Sequence, residues 1–122
     1  MATVRQETGA ADVDDSIDVE LLLEMTDLAL KMELNTSTRA AIDTRTVEVG
    51  RHLNILLVQD LGADENPEVR ELFRKGYRLL DLKQRPTSST PAFAAFFHLR
   101  EMAELTRCLL RVYAEGNGRG IS

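Results

Sequence analysis

A single cysteine, Cys108, leaves no partner for an intrachain disulfide, so the fold must rest on packing, and a reducing, intracellular compartment (cytoplasmic or nuclear) is expected. Tryptophan is absent and aromatics make up 5% of the chain, with two histidines in total. That scarcity removes the stacking platforms of single-strand nucleic-acid binders and the His/Cys quartets of zinc sites. Uninterrupted apolar runs such as Ile55 to Val58 and Ala92 to Phe97 fall far short of the roughly 20 residues a membrane-spanning helix needs. Positive charge is missing from the start of the chain, where Glu7, Asp12, Asp14, Asp15 and Asp18 face only Arg5. This is the reverse of a secretory or transit signal. There is no Gly-x-Gly-x-x-Gly, no phosphate-binding loop ending in Lys-Ser/Thr, no internal repeat and no alternating strand pattern.

What is present describes an ordinary globular domain. The 122 residues are 43% hydrophobic and 29% charged, enough for one buried core without staples. The net charge of −5 is unevenly spread. Residues 1–34 carry nine acids against two bases, and residues 66–122 carry ten bases against six acids. An acidic element beside a basic one in the same fold explains this. Two oppositely charged docking surfaces would as well.

Apolar spacing predicts an all-α, four-helix up-down bundle, with helices at about 16–34, 38–61, 67–84 and 91–115. Residues 1–14 are expected to form a disordered acidic tail, 15–116 the single helical domain, and 117–122 a flexible end. In the first helix Ile17, Leu21, Met25, Leu28 and Met32 are expected to face inward. Val19, Leu22, Leu23, Leu30 and Leu34 widen that face past half the circumference, which places this helix in the middle of the bundle. The second helix should turn Ile42, Val49, Leu53 and Leu56 inward and stop at Gly62.

Asn66-Pro67-Glu68 is the sharpest start signal: a capping amide, a proline where no N–H is needed, and an acid at the positive end of the dipole. The third helix should bury Val69, Leu72, Phe73, Gly76, Leu79 and Leu80, and expose Arg70, Arg74, Lys75 and Arg78. Thr90-Pro91 repeats the cap-and-proline signal for a last helix of about 38 Å, rich in phenylalanine and leucine.

Candidate sites are few. His98 sits in an aromatic stretch and reads as a half-buried structural histidine, His52 as solvated, and Cys108 as a packed thiol among Leu105, Leu109 and Val112. Gly76, between Phe73 and Leu80, marks the close approach of another helix. The basic run Arg70 to Arg85 lacks interleaved aromatics in a chain of pI 5.0. It is therefore read as a solvated or protein-facing surface rather than a nucleic-acid one.

Two Glu-x-x-Glu pairs, Glu68/Glu71 and Glu101/Glu104, each put two carboxylates on one helix face, and two such helices side by side could hold Mg²⁺ or Mn²⁺. The interspersed Arg70, Arg74, Lys75 and Arg100 compete for those carboxylates. In its helical carboxylates the arrangement resembles the all-α nucleotide pyrophosphohydrolases of the MazG type. That resemblance implies a small metal-dependent hydrolase using these four residues.

The leading expectation is different. The helices hold more apolar surface than a lone bundle, with about 3 of 7 positions apolar, requires. The surplus points to a non-enzymatic helical interaction module, an adaptor, assembly factor or small subunit, without a cofactor. It would dock another protein chain or a second copy of itself. The expected anchors are Leu21, Leu22, Met25, Phe93, Phe96 and Phe97, with Arg74 and Arg78 as rim charges.

Overall fold

A computed structural model describes residues 17–116. Those residues form four α-helices: α1 Val19–Lys31, α2 Arg39–Leu57, α3 Pro67–Leu80 and α4 Ala92–Gly116, with no strand among them. No helix of the described part is long and apolar enough to cross a membrane. The expected tails at 1–14 and 117–122 lie outside the described residues.

Each helix end has a local chemical cause. Asp18 caps α1, its carboxylate accepting from the Leu21 amide at 3.0 Å. The helix closes at Lys31, three residues early, because Glu33 to Thr36 form a turn whose Thr36 amide and hydroxyl both donate to the Glu33 carbonyl. Thr38 caps α2. That helix ends at Leu57 rather than Leu61, tightening through Val58 and Gln59 amides onto the Ile55 and Leu56 carbonyls. Asp60 then captures the Gly62 amide, and Gly62 takes a positive φ of 83°, a conformation available to glycine without a side-chain clash.

Asn66 caps α3 by accepting from the Glu68 and Val69 amides, with Pro67 in the first turn. Asp81 stops α3 at Leu80 rather than 84 by accepting from the Lys83 amide, while Arg85 Nε donates back to the Leu80 carbonyl. The Thr90 hydroxyl does not cap α4 as its position predicts. It accepts from the Thr87 amide, closing the loop.

Cross-links set the helix directions. Arg107 meets Asp27, and Arg100 donates to the Leu30 carbonyl, so α1 runs antiparallel to α4. Arg39 at the start of α2 donates to the Thr87 and Thr90 carbonyls at the start of α4, and Gly50 lies beside Met102. Hence α2 and α4 run parallel. Gly76 of α3 meets Leu57 of α2, and Leu80 meets Gly50, so α3 is antiparallel to both.

The result is an up-down bundle with an uneven cross-section. The parallel pair α2 and α4 makes the largest contact, α1 and α3 lie on opposite flanks, and those two do not touch. The core follows this layout. It draws Ala95, Phe96, Leu99, Met102, Ala103, Leu105, Leu109 and Leu110 from α4, and Ile42, Val49, Leu53, Leu56 and Leu57 from α2. The buried hydroxyls of Thr26 and Thr106 donate to the Leu22 and Met102 carbonyls one turn earlier, so neither is stranded.

The position of α1 corrects the sequence-based expectation. This strongly apolar helix lies on a flank, and its buried line is Leu22, Thr26 and Ala29. That line is one residue, about 100° of rotation, away from the expected stripe. The small Thr26 and Ala29 let the helix backbone come close to α4, whereas the bulkier stripe would hold it off.

Candidate functional site

Rotation of α1 leaves Leu21, Met25 and Leu28 on the flank opposite Asp27, which faces α4, while Met32, past the helix end, packs against the core. Leu21 is 43% exposed and Leu28 48% exposed, while Met25 and Met32 are half-buried. Leu23 stands exposed on the α4 side of the same helix. Around this stripe the charge is acidic. Glu20 and Glu24 are exposed and make no ion pair with any described residue, and Lys31 is tied to Asp27 at 2.9 Å.

The remaining expected anchors fall elsewhere. Leu22 and Phe96 are 4% and 5% exposed and belong to the core, a correction to their reading as docking residues. Their neighbours fix this outcome: Leu22 shares the α4-facing line of α1, and Phe96 shares a face with Leu99 and Ala103. Phe93 and Phe97, 56% and 55% exposed, form a second surface at the start of α4. Phe97 meets the buried Phe96 edge to face, with centroids 5.6 Å apart.

Because α1 and α4 are antiparallel, Leu21 and Phe93 lie at opposite ends of the bundle, about 30 Å apart by helical rise. The anchors therefore do not compose one patch. Arg74 is bound to Glu71 at 2.7 Å, and Arg78 is exposed without an ion pair among described residues. Both sit on α3, which α1 never reaches.

The four glutamates are all exposed. Glu71 pairs with Arg74, and Glu104 lies 3.8 Å from Arg100. Among the described residues no three His, Cys, Asp or Glu side chains come together as a metal site requires. The basic run is also partly engaged in structure, since Arg70 donates to the Ala63 and Asp64 carbonyls ahead of α3.

A cavity of about 590 Å³ opens between α2, the end of α3, the α3–α4 loop and α4. Gly50, Leu79, Leu80 and Met102 form its apolar wall, and Asp43, Arg51, Arg85 and His98 supply polar groups. A neighbouring hollow beside Phe93 and Phe97 shares Arg85, Pro86 and His98 with it. His98 is half-buried as its context predicts, with Nε2 shut off from solvent and lacking a hydrogen-bond partner. Burial lowers its pKa, the Glu101 carboxylate opposes that, and Arg85 adds to it.

His52 corrects its solvated reading. It too is half-buried, with Nδ1 unpartnered and its pKa lowered by burial, then by Arg51, against a raising effect of Glu48. Cys108 is half-buried and free. Sequence reasoning singled out His98 but missed that tertiary folding brings it to one cavity with Gly50. Residues so far apart carry no shared linear signal.

Comparison with family models, with curated proteins and with solved structures found no match to this chain.

Proposed function

We propose that the chain is a helical protein-interaction module, acting as an adaptor or small subunit of a larger complex, whose α1 receives a basic amphipathic helix from a partner protein. One observation carries this reading. Leu21 and Leu28, with half-buried Met25 between them, stay at the surface on a helix that already buries a separate line against α4. Apolar side chains at i, i+4 and i+7 form the ridge that a second helix packs against. Isolated exposed apolar residues such as Val47, Val58 or Leu82 need no such account.

Charge chooses the occupant. Glu20 and Glu24 border the stripe without partners among the described residues, so lysine or arginine flanking the incoming apolar face complements them. Pairing of α1 with α1 of a second copy would instead set like charges side by side.

The test uses the full chain and two synthetic helical peptides of leucine at 3-4 spacing, one with lysine and one with glutamate at the polar positions. Fluorescence anisotropy should detect binding of the lysine peptide that weakens with salt, little binding of the glutamate peptide, and at least a tenfold loss in L21E/L28E. Equal binding of both peptides, or an unaffected L21E/L28E, overturns the proposal. Sedimentation of the chain alone separates the other occupant: a dimer that L21E/L28E dissolves would assign the stripe to a second copy.

A further inference from the structure

The α2–α3–α4 cavity lies away from α1 and is independent of the docking proposal. Its size, about 590 Å³, falls within the range that encloses small organic ligands. Its wall is divided chemically. Leu79, Leu80 and Met102 supply apolar surface, and Gly50 leaves room beside Leu80 and Met102, because no side chain projects there from α2.

The polar groups are cationic in balance. Arg51 makes no hydrogen bond or ion pair with any described residue, and Arg85 uses only Nε, on the Leu80 carbonyl. Asp43, the acid of the lining, is already bonded to Arg39 at 2.9 Å. Two guanidinium groups therefore have donors to offer, and planar forks of this kind match a carboxylate best. His98 completes the polar end of the lining, although its Nε2 is shut off from solvent and so contributes no contact to a ligand there.

We infer that this cavity binds a small amphipathic carboxylate, its apolar body against Leu80 and Met102 and its head group between Arg51 and Arg85. A purely inorganic anion would leave the apolar wall uncovered, and an amphipathic amine would meet two uncompensated cations. The proposal thus requires both halves of the ligand.

The experiment titrates the full chain with octanoate, octylammonium and acetate, followed by calorimetry and by the His98 ring resonances. Octanoate should bind saturably and shift those resonances, with octylammonium and acetate at least tenfold weaker. R51Q and R85Q should each lower octanoate affinity several-fold. R51Q should leave the melting temperature near that of the parent, since Arg51 bonds to no described residue, and R85Q should lower it slightly through loss of the bond to the Leu80 carbonyl. Gly50→Met, which places a side chain in the cavity, should abolish binding. Equal affinity for octanoate and octylammonium, no saturation by millimolar octanoate, or an R51Q/R85Q double variant that binds like the parent would each overturn the assignment. The lysine-peptide assay at α1 is unaffected by these variants, so failure here and failure there can be told apart.

Discussion

Adding one methyl group at Gly76 and one at Gly50 should move stability in opposite directions. Both glycines lie inside helices, where alanine is intrinsically favoured by about 1 kcal/mol. At Gly50 the added Cβ would lie 3.6 Å from Leu80 Cδ2 and 3.9 Å from Met102 Cε, ordinary contact distances. Gly50→Ala should therefore realise most of that gain, roughly 0.5–1 kcal/mol.

At Gly76 the same Cβ would lie 3.0 Å from both methyl carbons of Leu57 and 3.4 Å from its Cγ. Leu57 is a buried member of the core and has little room to withdraw. Overpacking of this kind costs about 1–3 kcal/mol. Set against the propensity gain, Gly76→Ala should come out between neutral and about 2 kcal/mol destabilised.

Urea unfolding is the assay, with the midpoint read at constant slope so that the change reports stability alone. Leu57→Ala in the Gly76→Ala background should cost less than Leu57→Ala in the parent, a coupling of about 0.5–3 kcal/mol. A Gly76→Ala midpoint equal to or above that of Gly50→Ala would refute the close α2–α3 approach on which the argument stands.

Three further outcomes follow from the same layout. Leu109→Ala, at a fully buried α4 position, should destabilise by about 2–5 kcal/mol, whereas Leu28→Gln on the exposed stripe should stay within about 0.5 kcal/mol; denaturant midpoints compare them. Arg39→Met removes the donors to the Thr87 and Thr90 carbonyls, so amide exchange in the 87–90 loop should accelerate while the core amides of α4 stay protected. His52 and His98 both have pKa values lowered from 6.5 by burial. As pH falls through 6.5 the unfolded chain takes up these protons first, so stability should be full above that value and decline below it. In H52Q/H98Q the decline across that window should flatten, and an unchanged slope in thermal melts at pH 7 and below would contradict the burial of both rings.

The helix count, the cap at Asn66 and the inward faces of α2 and α3 were all readable in the chain. They depend on local physics: amide groups needing caps, proline lacking an N–H, and apolar residues recurring every three or four positions. Helix ends were read three or four residues long because Glu33, Asp60 and Asp81 nucleate short-range hydrogen bonds that compete with the last helical turn. Spacing alone does not weigh that competition.

Which side of α1 turns inward was beyond the chain itself. Leu21–Met25–Leu28 and Leu22–Thr26–Ala29 are both helical lines, and composition favours the first. Contact with α4 selected the second, because small side chains bring two helix backbones closer than large ones do. The exposed stripe and the separation of Leu21 from the Phe93/Phe97 surface follow from that packing, and the meeting of Arg51, Arg85 and His98 at one cavity follows from the packing of α2, α3 and α4. Local sequence sets what each helix is, and only the competition among helices for one core decides which of its faces remains outside.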